Sequence, residues 1–266
     1  MMLDSVIAAA ERTEAARSLI AQAQVDVVDL VVVSALELCV LDGPRQPVFE
    51  ERVAQAWLRV TDRRRRQVTG EVTAGLIRRG LLIEDPPEHR TVQAVSSYSC
   101  KPELGLMLAA RCRPAFVVLA KGDRGDLRPL NLFALGDRAN PVRAIVAELP
   151  AGLPPDRAAD FPDTRKLGPL GWIYRYALVS PADAAYILAR WAMTPPAQPG
   201  GAAPVRYLIS AYCPDRERPV GYQLSVQTYG TQAVVDGPSA PNGQPAQYDL
   251  DRLSGILLDL LAEASR

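Results

Sequence analysis

A stretch rich in proline and glycine, Thr194–Pro204 (TPPAQPGGAAP), interrupts the chain, and one order of apolar segments stands on both sides of it. Such a stretch holds neither a helix nor a central strand, because proline lacks the N–H and glycine loses the most backbone entropy on ordering. Before it, Ala115–Ala120 (AFVVLA), Leu130–Leu135 (LNLFAL) and Pro141–Leu149 (PVRAIVAEL) read as strands, the first two separated by the polar turn Lys121–Pro129 (KGDRGDLRP). A loop rich in proline and aspartate over 150–169, a strand-like Gly171–Val179 and a helix Ala182–Met193 follow, with Ser180-Pro181 as N-cap and N1. After the interruption come Val205–Tyr212, the charged turn Cys213–Pro219, Val220–Thr228, Thr231–Asp236, the loop Gly237–Gln247 and a helix Leu250–Ala264. Leu250, Leu253, Leu257, Leu260, Leu261 and Ala264 give this last helix a wide apolar stripe. Short turns favour antiparallel pairing, since parallel pairs need long crossovers. The order predicts an α+β fold: antiparallel sheets with flanking helices, an internal pseudo-two-fold repeat and a helical N-terminal segment. The expected divisions are residues 1–112, residues 113–194 and residues 205–266.

The N-terminal segment carries its own pattern. Residues 5–23 read as an alanine-rich helix with Asp4 or Ser5 as N-cap, and Val25–Val33 as a strand or the start of a buried helix. Ser34–Leu41 looks helical and stops at Asp42-Gly43-Pro44. A helix over Val48–Val60 precedes one over Arg63–Arg79, which stacks Val68, Val72 and Leu76 on one face and ends at Gly80, a natural C′ glycine. Leu81–Glu84 is then a short strand before Pro86-Pro87. Three helices and a strand in this order are also the layout of a winged helix, in which Arg63, Arg64, Arg65 and Arg66 would face phosphates. Four positive charges at a helix N-terminus oppose the macrodipole by a few tenths of a kcal/mol each, a placement that a neutralising partner would relieve. The alternative expectation is therefore a winged-helix DNA-binding regulator, resting on a local patch: 30 Lys+Arg balance 30 Asp+Glu over the chain.

Chemistry is sparsely supplied. The single histidine, His89, lies in a charged loop with no nucleophile the sequence can pair with it, which removes most Ser-His-Asp triads and histidine-rich metal sites. Cys39, Cys100, Cys112 and Cys213 are far apart with no C-x-x-C pair, so zinc and thioredoxin-like sites are not expected and reduced buried thiols are. Phosphate-binding glycine motifs and the G-x-S-x-G elbow are absent, and Gly200-Gly201 falls in the interruption with no helix after it. Arg124-Gly125-Asp126 reads as a polar hairpin turn, and Glu84-Asp85 as no more than an acidic pair. Trp172, Tyr174, Tyr176, Tyr186 and Trp191 have the spacing of a strand and a helix sharing one core. The longest apolar run, Val27–Leu41, is broken by Asp29, Ser34 and Glu37 and is too short to span a bilayer; no signal peptide is read at the N-terminus. The expectation is a soluble, cytoplasmic, non-enzymatic protein without metal or cofactor.

Four stretches stand out together: Leu76-Ile77-Arg78-Arg79-Gly80-Leu81-Leu82; Pro102–Arg111 with Arg113-Pro114; Phe161-Pro162-Asp163-Thr164-Arg165 with Leu170-Gly171; and the closing Arg206–Tyr212, Asp215–Arg218, Gly221–Val226 and Thr231–Pro238. In this order they resemble the EspG family, the cytosolic chaperones of mycobacterial type VII secretion and their actinobacterial relatives. The similarity spans roughly residues 28–264 in element order, and departs from the family in the helix 5–23 and in the run between Trp172 and Met193. It implies a pseudo-two-fold α+β fold and a protein-binding role, the capture of the apolar tip of a helical substrate such as a PE–PPE heterodimer or a W-x-G-type protein. By position, it assigns the binding surface to Lys121, Asp123, Arg124, Asp126, Leu127 and Arg128 and to the last helix, where Ile256 and Leu258 fall off the apolar stripe. No membrane partner is implied, and nucleic acid is not expected.

Overall fold

A computed structural model describes residues 14–41, 50–84, 98–123, 128–135, 142–153, 161, 167–194, 205–214, 221–229, 231–237 and 246–265. The chain divides into two compact units, one of residues 1–19, 30–112 and 150–176, the other of residues 20–29, 113–149 and 177–266. The fold is α+β with a helical N-terminal segment, as expected. No helix among the described residues is long and apolar enough to cross a membrane.

The first unit takes up most of the N-terminal segment. Helix α1 (Glu14–Gln22) is the described part of the helix expected over 5–23. Between strand and buried helix, the β-branched run becomes strand β1 (Val28–Ser34), because Val28, Leu30, Val31 and Val33 are buried and stiff side chains suit the pleat. It runs directly into α2 (Ala35–Leu41), whose first N–H donates to the Trp172 carbonyl at 2.7 Å. Helices α3 (Glu51–Leu58) and α4 (Asp62–Arg78) are joined by Arg59, Val60 and Thr61. Thr61 caps α4 by accepting the Arg64 N–H at 3.4 Å. At the other end Gly80 adopts φ +64°, and the N–H groups of Gly80 and Leu81 donate to Ile77 and Leu76 at 2.8 and 2.9 Å. This is a Schellman closure, which needs a left-handed residue at that point. The chain then enters the antiparallel hairpin β2 (Leu82–Glu84) and β3 (Tyr98–Cys100). Helix α5 (Pro102–Cys112) is buried from Leu104 to Arg111, with the Arg111 guanidinium donating to the Tyr176 hydroxyl at 3.0 Å.

The second unit is built on strands β4 (Val117–Gly122), β5 (Leu130–Leu135), β6 (Ala144–Ala151), the second half of β7 (Ile173–Val179), β8 (Arg206–Tyr212), β9 (Tyr222–Tyr229), β10 (Gln232–Asp236) and β11 (Ala246–Tyr248). The strand order of the sheet is β1-β7-β6-β5-β4-β8-β9-β10-β11. Apart from the edge strand β1, it is a mirror about the β4–β8 pair, which is antiparallel from Val117↔Tyr212 to Gly122↔Tyr207. Outward from that pair the chain lays down four strands in sequence on either side, and each set is followed by a helix, α6 (Pro181–Met193) or α7 (Leu250–Ala264). The two helices pack on each other and on one face of the sheet. Leu188 of α6 and Leu253, Leu257, Leu260 and Leu261 of α7 sit in one core with Val118, Ala120, Ile209, Leu224 and Val226. Each large side chain so buried contributes roughly 1.5–3 kcal/mol. Ser180 caps α6 by accepting the Asp183 N–H at 3.1 Å, with Pro181 at N1, as its sequence predicts.

Two details differ from the sequence reading. Strand β11 begins inside the expected loop 237–247 and runs one residue past it; three residues without a β-branched side chain carry no alternation to read. The aromatic group does not share one core. Ala177 and Val179 of β7 face α6, so Tyr174 and Tyr176 lie on the opposite face by the two-residue period, and Trp191 packs instead on Tyr207 of β8, ring centroids 4.6 Å apart. His89 and the turn Asp42-Gly43-Pro44 lie outside the described residues.

Candidate functional site

The β-strand period sorts the second unit's sheet into a covered and an open face. On β8, Tyr207, Ile209 and Ala211 enter the core under α6 and α7, while Arg206 and Leu208 are exposed and Ser210 and Tyr212 half-buried on the reverse side. On β9 the reverse side carries exposed Gln223 and half-buried Ser225 and Gln227; on β10 it carries exposed Gln232 and half-buried Val234. Register makes this one surface: Lys121 pairs with Leu208 and Leu208 with Ser225, and Leu119 pairs with Ser210 and Ser210 with Gln223. Leu119, Leu208, Tyr212 and Val234 are its apolar members, Ser210, Ser225 and Gln227 lie between them, and Lys121, Arg206, Gln223, Gln232 and Asp236 are its exposed polar members. Leu208 is 43% exposed at its centre. On the neighbouring strand β5 the same side is buried at Asn131, Phe133 and Leu135, so the open area begins at β4 and extends over β8–β10. Burial pushes the Tyr212 phenol up.

The expected site residues do not all fall there. Lys121 does, and the Asp123 backbone N–H donates to the Arg206 carbonyl at 2.8 Å, tying the end of the β4 turn to β8. Arg128 is half-buried at the entry to β5, while Arg124, Asp126 and Leu127 lie outside the described residues. Leu258 is 38% exposed on α7, but Ile256 is half-buried against the core. Because α7 covers the Ala120 face and Lys121 points the other way, Lys121 and the last helix lie on opposite faces of the sheet.

The arginine run resolves into different roles. The Arg65 guanidinium donates to the Trp57 and Leu58 carbonyls at 3.1 and 3.0 Å, sits 5.4 Å from the Trp57 ring and lies 3.6 Å from Asp62. It satisfies the Leu58 carbonyl at the C-terminus of α3 and joins the Val60 N–H, 3.0 Å away, on that of Trp57, a structural task. Arg64 lies 3.9 Å from Glu71. Arg63 and Arg66 are exposed.

A buried polar centre in the first unit escaped the sequence reading. Ser34 and Glu37 form a reciprocal capping box at the start of α2. Glu37 Oε2 accepts the Ser34 N–H at 2.7 Å and its hydroxyl at 3.0 Å, and Ser34 Oγ accepts the Glu37 N–H at 3.2 Å. Glu37 Oε1 meets Arg79 at 2.5 Å, and Arg79 also donates to the Val32 carbonyl at 3.0 Å and lies over the Phe161 ring at 4.4 Å. The S-x-x-E pattern ahead of an apolar run signals such a box. Desolvation holds the Glu37 carboxyl above its ordinary range, against the opposing pull of Arg79 and Ser34. With both oxygens engaged, the group locks β1, α2 and the end of α4 together and is not presented to a substrate.

Among the described residues no group of three or more His, Cys, Asp or Glu is placed to hold a metal ion, and burial pushes the Cys100 thiol up, away from the reactive thiolate. No protein-family model matches the chain, and no curated protein sequence matches it.

Proposed function

We propose that this chain is a non-enzymatic, cytoplasmic chaperone or adaptor that captures helical type VII secretion substrates on the open sheet face of its second unit. The observation that carries the reading is the mirrored strand order about β4–β8, with α6 and α7 paired on one face. This is the pseudo-two-fold architecture that the EspG resemblance implies. The reading assigns the partner to the exposed face around Leu208, where that side chain stands among Lys121, Arg206, Ser210 and Ser225. Binding there would shield a partner's apolar tip, with a negative heat-capacity change and modest salt sensitivity. The test is co-expression of the tagged chain with a PE–PPE heterodimer and, separately, with a W-x-G protein, followed by affinity capture and size-exclusion chromatography. A stoichiometric complex with either supports the reading. Failure of both to co-elute, with a bound small molecule in the purified chain instead, would overturn it.

A further inference from the structure

The geometry points to a second binding surface, on the first unit: we propose that α3, α4 and the β2–β3 hairpin form a winged helix-turn-helix that binds duplex DNA through the outer face of α4. The connection is the first argument. Only Arg59, Val60 and Thr61 separate α3 from α4, the length of a helix-turn-helix turn, and the turn is fastened at both ends. Thr61 caps α4, and Arg65 in its first turn reaches back to the last carbonyls of α3. One arginine of the run therefore holds the turn rigid while its neighbours point elsewhere.

The second argument is what α4 leaves outside. Val68, Val72 and Leu76 are buried, and Arg63, Arg66, Gln67, Gly70 and Ala74 are exposed. A side-chain carbon added at Gly70 would meet nothing within 4 Å, so this stretch of the helix is smooth and open to close approach. Charge is the third. Arg64 and Arg65 lie near Glu71 and Asp62, whereas no ion pair of Arg63 or Arg66 is found among the described residues. Arg63 sits in the first turn, where the helix dipole is already positive, and Arg66 just beyond it; an anion at this end is attracted by dipole and guanidinium together and relieves their mutual repulsion. The antiparallel β2–β3 hairpin follows α4 immediately, in the position of a wing.

An α-helix fits the major groove of B-form DNA but not the deep, narrow groove of A-form RNA, so the surface is matched to DNA. With no net charge on the chain, the attraction is local and strongly salt-dependent. The experiment uses the full chain and fluorescence anisotropy with a mixed-sequence 30-base-pair DNA duplex and the equivalent RNA duplex, from 50 to 200 mM NaCl. The expected result is DNA binding at 50 mM that is tighter than RNA binding. In Arg63→Ala/Arg66→Ala the slope of log affinity against log salt should shrink by about 2. Arg63→Lys/Arg66→Lys should retain the slope. Melting temperature should not fall in the alanine variant, since both side chains are exposed; a fall would void that variant as a probe, and the lysine pair and the DNA–RNA comparison would then decide. Absence of DNA binding at 50 mM, equal affinity for RNA, or an unchanged slope in the folded alanine variant would each overturn the proposal.

Discussion

Glu37 and Arg79 meet 2.5 Å apart with side-chain exposures of 1% and 7%. Removing one partner from such a pair leaves the other charge buried and uncompensated, so Arg79→Ala should lower unfolding free energy by about 3–5 kcal/mol in denaturant titration. Adding Glu37→Gln to that variant should recover part of the loss, because the stranded charge is gone; strict additivity would contradict the pairing. The pH dependence has a definite sign. The folded state holds the Glu37 proton more readily than the unfolded chain, whose value is the ordinary 4.5. Its contribution is therefore fully present below that value and is lost as pH rises through the raised folded value. The stability difference between wild type and Glu37→Gln should fall with rising pH across that range, and a difference that grows would contradict the direction. Half of this centre was legible: Ser34 and Glu37 are three apart and spell a capping box. Arg79 lies 42 residues further on, and no local pattern announces a partner at that distance.

Elements were readable where composition and local chemistry agree. Leu130–Leu135 is a strand with the expected ends, fully buried and apolar but for Asn131, and Leu250–Ala264 is the expected helix with the expected stripe inward. Strand β4 is displaced, from the expected 115–120 to Val117–Gly122, because its end is set by pairing with β8 through Gly122↔Tyr207 and not by hydrophobicity. The arginine run makes the element-scale case most sharply. Sequence gives four equivalent charges; structure gives Arg65 two backbone carbonyls and an aromatic ring. Arg65→Ala should cost about 1 kcal/mol, whereas Arg63→Ala should be neutral or stabilising by a few tenths, both measured by thermal melting. Gly80→Ala should cost about 1–2 kcal/mol, since φ +64° places its new side chain in the left-handed region. Equal effects at Arg63 and Arg65 would contradict the division of roles.

At the scale of the molecule, the repeated order of segments on either side of the proline-rich interruption was enough to suggest a two-fold arrangement. It was not enough to find the open face of the sheet. Which side of a strand is open depends on the strands and helices that neighbour it, and those are joined here by β4–β8 pairing across more than eighty residues of chain. Lys121 reached the open face because the polar turn begins there. Leu208, the exposed apolar residue opposite it, sits in an apolar strand whose sequence does not mark it as different from Ile209. Leu258, chosen because it leaves the stripe of α7, belongs to the helical side. The comparison of Leu208→Glu with Leu258→Glu tests the account most directly, in affinity capture of a co-expressed PE–PPE heterodimer with thermal melting as the control. Both side chains are partly exposed, so both variants should melt within about 0.5 kcal/mol of wild type. The account predicts that Leu208→Glu abolishes co-elution and Leu258→Glu retains it. Retention by Leu208→Glu with loss by Leu258→Glu would contradict it.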